Sequence, residues 1–291
     1  MAGIIQELKD LYKNGGALIR LIYINIAVFI VVSLVYLFSG QPTIFFMDYW
    51  FSLPSVPSAL LYRPWTLITY MFYHRDIMHI LFNMLNLFWF GKIFLMYFDE
   101  KKLISLYFLG GIVGGIFYVV FANIFPSVFG VGILMGASAA IIAIMFAAAF
   151  HVPDFKLFMV FIGQVKLIYI AIFSLFLYVV MITSLKNAGG NLAHIGGAFM
   201  GYLWIKQFKL GTDITKGFTW FIDLIASLFK RRKLKVTHNK RPPIDDLEYN
   251  KHKKINQQEI DKILDKISKG GYDSLSKSEK DTLFNMSNKN N

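Results

Sequence analysis

The chain has 291 residues, 56% hydrophobic and only 16% charged, with a mean hydropathy of +0.51; a soluble domain carries roughly 25% charged residues, which argues against water solubility throughout. The net charge of +12 divides evenly, 13 Lys/Arg against 7 Asp/Glu over residues 1–210 and 17 against 11 over residues 211–291, as expected for basic flanks of apolar spans meeting anionic lipid rather than for a nucleic-acid surface. Cysteine is absent, which excludes disulfides and thiolate metal sites.

Residues 1–17 are expected to form a cytosolic N-terminal segment, and residues 18–210 a membrane domain with six apolar segments. These are residues 21–38, 77–98, 103–125, a glycine-broken stretch over 127–150, then 167–185 and 188–205. Most reach the ~20 residues a helix needs to cross ~30 Å of hydrocarbon. The first is long and lacks a small-residue cleavage site, so it reads as a retained span rather than a signal peptide. Residues 39–76 hold Pro42, Pro54, Pro57 and Pro64 among many aromatics. That mixture suits a structured, membrane-embedded loop with interfacial aromatic anchors.

Basic residues set the orientation. Lys9, Lys13 and Arg20, then Lys101 and Lys102, then Lys156 and Lys166, then Lys206 fall on one side; Arg63, Arg75 and Lys186 fall on the other. Six spans with both termini in the cytoplasm follow. The fourth segment is interrupted by Gly130, Gly132 and Gly136, and a helix over residues 137–150 would be only ~21 Å long. It is therefore expected to start inside the membrane, below a glycine-rich loop entering from outside. Irregular backbone at that depth needs burial in protein or a watery cavity.

Ser138 falls on the first turn of this short helix, and His194 a turn or two into the sixth span. His79 and Asn83 are four apart, hence on one face near the outer start of the second span. Singly, each has a plain structural role: a serine bonding its own helix, a histidine or an Asn–His pair linking helices, and Gly196, Gly197 and Gly201 packing closely. Gathered at one depth, costly polar groups point to function. The chemistry they fit is acyl transfer, with Ser138 as nucleophile and His194 as the base that takes its proton. The Ser138 N–H, the Asn83 amide and His79 are candidate donors to the oxyanion. No acidic residue lies in the last three spans, which leaves a dyad. A transporter would more often show inverted repeats and paired broken helices; one broken helix and no repeat are found.

Three motifs now stand in order. Gly136-Ala137-Ser138-Ala139 resembles the G-x-S-G/A nucleophile motif of the rhomboid intramembrane serine proteases. Ala193-His194-Ile195-Gly196-Gly197-Ala198-Phe199-Met200-Gly201 is similar to their A-H-x-x-G-x-x-x-G helix, and the run from His74 through His79 to Asn83 to their H-x-x-x-x-H-x-x-x-N segment. The resemblance covers residues from about 18 to 207. It implies an all-α, six-transmembrane-helix rhomboid-like bundle with an embedded loop between helices 1 and 2, a mobile gate at span five and a Ser–His dyad. It further implies transmembrane protein substrates, no cofactor or metal, and a multi-pass protein, here expected in a bacterial inner (plasma) membrane. A catalytically inactive rhomboid-like protein that binds transmembrane clients is the alternative; such proteins have usually lost the serine or the histidine, and both are present. Three positions depart from the pattern: Thr66 follows Trp65 where the family often has Arg, Ile142 stands where an aromatic often packs on the histidine, and Leu95 replaces an acidic residue.

Residues 211–235 read as an amphipathic interfacial helix with Phe218, Phe221, Leu224, Ile225 and Leu228 on one face, ending in Lys230-Arg231-Arg232-Lys233, which could touch anionic lipid. Packing of this helix under the core is equally compatible with the pattern. Residues 236–250, with Pro242-Pro243, read as a linker. Residues 251–291 form a small helical hairpin tail: Ile260, Ile263, Leu264 and Ile267 keep helical spacing over residues 257–269, Gly270-Gly271 stops that helix, and Ser276 with Glu279 makes a capping box for the next.

Overall fold

A computed structural model describes residues 6, 12, 14–39, 41–159, 162–182, 187–229 and 246–287. Long apolar runs can satisfy their backbone in lipid only as helices or closed barrels, and helices dominate. Three are long and apolar enough to cross a membrane: α1 (Gly16–Ser39), α5 (Ile77–Leu95) and α6 (Glu100–Ile124). Two shorter apolar helices follow, α8 (Ser138–His151) and α9 (Leu167–Ile182), and then the glycine-rich α10 (Ala188–Lys209). The boundaries expected from the sequence shift by a few residues. Asp76 and Asp99 accept from the backbone N–H of His79 and Lys102, both at 2.9 Å, and so cap the starts of α5 and α6.

Residues 41–69, within the stretch expected to be a structured loop, hold three short helices, α2 (Gln41–Phe51), α3 (Pro57–Tyr62) and α4 (Thr66–Thr69). Pro57 opens α3 in the first turn, where its missing N–H costs nothing. The all-helical expectation also missed two short antiparallel ribbons. One pairs β1 (Leu53–Pro54) with β2 (Ile133–Leu134), just after the single-turn helix α7 (Pro126–Phe129). The other pairs β3 (Lys156–Met159) with β4 (Gly163–Lys166) between α8 and α9. Two-residue strands carry no periodicity that a sequence reading can detect.

At the centre of the first compact unit stands α8, in contact with α5, α6, α9 and α10. Eleven of its 14 residues, Ala139 through Ala149, are buried. Glycines on both sides make room for it. A Cβ on Gly197 or Gly201 of α10 would overlap the carbonyl oxygens of Ala139 or Ala143, and one on Gly110 of α6 would overlap the Ala143 methyl. Small residues at helix contacts are how membrane helices approach closely, since lipid gives no hydrophobic drive for association.

The amphipathic helix α11 (Lys216–Phe229) packs against α6: Phe218 meets Phe108 at a ring-centroid distance of 5.7 Å, Thr219 bonds Ser105 at 2.9 Å, and Lys101 bonds Asp223. Trp220, Phe221 and Leu224 remain exposed. One face of this helix thus packs on the core and another apolar face is open. Lys9, Lys13, Lys186, the basic run 230–233 and Pro242-Pro243 lie outside the described residues.

The second unit contains α12 (Asp246–Gly270), a 3-10 turn over Tyr272–Ser274 and α13 (Lys277–Ser287). The first of these helices begins about ten residues earlier than its apolar spacing suggested, inside the stretch read as linker. Its opening turns are polar and so carry no apolar stripe. Gly271, at φ +76°, ends the helix by donating to Ile267 O at 2.9 Å. The capping box forms, with Ser276 N–H on Glu279 Oε2 at 2.7 Å, and Lys266 pairs with Glu279 across the hairpin. Ile263 and Leu275 are buried between the helices.

Candidate active site

The start of α8 is fixed by a strapped loop. Ser55 N–H donates to Gly132 O and Gly132 N–H to Ser55 Oγ, each at 3.0 Å, next to the β1–β2 ribbon. The chain then turns through Gly136, whose φ of +106° disfavours any side chain. A Cβ there would also lie 2.6 Å from the His79 ring. Gly136 N–H donates to Tyr70 O at 2.8 Å, and Ala137 N–H to His74 Nε2 at 3.3 Å. Ser138 therefore leaves a turn whose backbone is held on both sides.

His194 reaches it from α10. Its Nε2 lies 2.7 Å from Ser138 Oγ. The close approach of the helices at Gly197 and Gly201 is what makes this distance possible, because both glycines face the α8 backbone one and two turns below the pair. His194 Nδ1 is buried and has no hydrogen-bond partner among the described residues. The edge of the imidazole packs instead on Tyr178 of α9, at a centroid distance of 4.6 Å and an interplanar angle of 61°.

Ser138 and His194 open into a cavity of about 360 Å³ with Asn83, Asn86, Ser174 and Tyr178 as its other polar lining and Phe90, Ile141, Ile142, Met145 and Ile170 as its apolar lining. Asn83 thus shares the cavity with the Ser–His pair. His79 does not line it. Its ring sits behind Gly136 and packs on the His74 ring at 5.0 Å and 66°. Of the four residues singled out in the sequence, three line the cavity and the fourth, His79, stands behind Gly136.

His74, the first residue of the motif that runs to Asn83, carries a role that its place in the sequence does not indicate. It is 1% exposed, and its Nε2 faces two donors, the Ala137 N–H and, at 3.1 Å, the Asn83 side-chain nitrogen. Its Nδ1 faces Phe72 O at 3.3 Å. One tautomer satisfies all three contacts, with the proton on Nδ1. His74 thereby ties the serine loop to Asn83. Burial would have flagged it, but burial is not visible in a lone histidine near a span end.

The departures also find places. Ile142 lines the cavity one turn below Ser138, and the aromatic ring on His194 comes from α9. Trp65 stacks on Trp50 at 5.6 Å, while Arg63 covers the Tyr49 ring at 3.7 Å and donates to the Tyr49 carbonyl, so cation and indole clamp α2 from two separate positions. Leu95 ends α5 with no carboxylate, and Asp99 caps the next helix.

Comparison with known proteins shows the family. A family model describing the Rhomboid domain matches residues 62–208, and one for a family of unknown function (DUF6576) matches residues 244–289. The chain is 31% identical over 157 residues to the RHOMBOID-like protein 12, mitochondrial, of Arabidopsis thaliana, a match covering 50% of this chain and 47% of that one. The chain thus spans about half the length of that relative. The first of these matches takes in half of the chain and every element that lines the cavity, from α5 to α10: the protein is a helical membrane protein of the rhomboid family.

Proposed function

We propose that this protein is an intramembrane serine protease that hydrolyses peptide bonds in or near transmembrane segments of other membrane proteins. The observation that carries the reading is the 2.7 Å contact between His194 Nε2 and Ser138 Oγ at the head of a buried helix. Nε2 takes the Ser138 proton as Oγ attacks the scissile carbonyl carbon; the imidazolium then gives that proton to the leaving amine as the acyl-enzyme forms. Water, deprotonated by the same nitrogen, releases the acyl group. The oxyanion is held by the Ser138 N–H at the positive end of α8 and by the Asn83 amide. His79 packs behind Gly136, in the turn that leads into Ser138.

In this reading α1, α5, α6, α8, α9 and α10 are the six spans, and residues 39–76 lie embedded beside them. Both termini are cytoplasmic, in a bacterial plasma membrane; Arg20, Lys101, Lys102, Lys156, Lys166 and Lys206 on the inner side support this. The exposed apolar face of α11 meets the inner lipid surface. A tag after residue 291 should be reachable only from the cytoplasm and one near residue 41 only from outside. Both on one side would overturn the orientation.

The decisive experiment is fluorophosphonate labelling, with cleavage of a reporter transmembrane substrate alongside. Wild type should label, and Ser138→Ala and His194→Ala should each lose about a thousandfold or more in turnover while remaining folded. Near-wild-type turnover in either variant would exclude the dyad. A wild type that neither labels nor cleaves would point to the inactive, client-binding alternative.

A further inference from the structure

A histidine base in a catalytic triad is held by an acidic partner on its second nitrogen, which fixes the ring's tautomer and angle. Among the described residues that hold is missing, since His194 Nδ1 has no hydrogen-bond partner there. On its own helix the nearest positions are Gly190, Gly197 and Ala198, with the buried Asn191 one turn before it and not bonded to Nδ1. Ile142, in the same cavity, is aliphatic. The ring of Tyr178 remains, meeting the imidazole edge-on at 4.6 Å, inside the range where aromatic pairs attract through their quadrupoles.

We propose that Tyr178 is a positioning residue for the base, its ring taking over from α9 the orienting role that an acid plays in a triad. The proposal rests on the protease reading above and adds to it a dependence on α9. That helix keeps only Leu167 and Ala171 buried, so the orientation of the base is entrusted to the least embedded wall of the cavity. Nucleophile and base then differ in support: Ser138 is built into a backbone turn, whereas His194 is angled by a side chain from a neighbouring helix.

The test uses the full-length protein in detergent or proteoliposomes and follows the rate of fluorophosphonate labelling, which needs the base but no protein substrate. Labelling of wild type and its loss in Ser138→Ala come first; if wild type does not label, the protease reading fails before this inference is reached. Given labelling, Tyr178→Leu, which keeps the bulk and removes the ring, should slow it by roughly three- to tenfold with the unfolding midpoint unchanged. Tyr178→Phe should restore the rate to within about a factor of two, since the ring acts and not the hydroxyl. Wild-type labelling in Tyr178→Leu overturns the proposal, and so does a Tyr178→Phe as slow as Tyr178→Leu. Should Tyr178→Leu also unfold at lower temperature, Tyr178→Met, whose flexible chain refills the space, is scored on its monomeric fraction: a slowed rate supports the ring, a wild-type rate refutes it.

Discussion

The two short apolar helices, α8 and α9, differ little in length and not at all in charge, yet one is core and the other is surface. Of 14 residues in α8, eleven are buried; of 16 in α9, two are. Hydropathy cannot separate them. Side-chain size can: α8 presents Ala139, Ala140, Ala143, Ala147, Ala148 and Ala149, whereas α9 turns Tyr169, Ile172, Phe173 and Phe176 outward. In water, burial follows apolarity; in lipid the surroundings are as apolar as leucine, and the helix with small residues wins the centre because its neighbours approach most closely. The cavity that holds Ser138 and His194 therefore has one wall packed tightly and one wall packed loosely.

The largest effect in this comparison is expected on α5, the helix that faces both walls across the cavity. On the proposed mechanism, Asn83→Ala removes an oxyanion donor on α5, and kcat should fall about 100-fold, ~3 kcal/mol, with little change in KM. Activity should fall without vanishing, because the Ser138 N–H is still present. If Asn83 only links helices through His74, the variant should instead lose about 0.6 kcal/mol of stability and turn over normally. Thermal unfolding and turnover measured on one preparation distinguish the two outcomes.

A smaller effect compares the helices directly. Gly197→Ala drives a methyl group into the Ala139 carbonyl, and overpacking of this kind should cost about 1–3 kcal/mol of stability. Phe173→Ala on α9, at a side chain 60% exposed, should stay within about 0.5 kcal/mol of wild type. Equal losses at the two positions would break the comparison, since α9 would then be as well embedded as α8.

Much of this was legible without coordinates. The glycines at 130, 132 and 136 and the short apolar run after them placed the start of α8 at Ser138 to within a residue, because a positive-φ glycine and the loss of apolar periodicity both mark the turn. The i, i+4 spacing of His79 and Asn83 put them on one helix face. Their different fates were not legible: Asn83 lines the cavity and His79 stands behind Gly136. That difference depends on the turn at Gly136, which spacing does not encode. His74 and Tyr178 went unassigned for a related reason. Each acts across helices, 63 residues from Ala137 in one case and 16 from His194 in the other, and no local pattern reports such a contact.

By itself, then, the sequence determined that this is a helical membrane protein with a serine at a helix start and a histidine on a glycine-lined helix. Those properties follow from hydropathy, backbone freedom and helical period, which are local. Only the tertiary structure decided which apolar helix occupies the centre, that His194 Nε2 meets Ser138 Oγ at 2.7 Å, and which ring rests on the base. In a membrane those outcomes turn on how closely backbones can approach, a property of facing pairs such as Gly197 with Ala139 that no single segment carries alone.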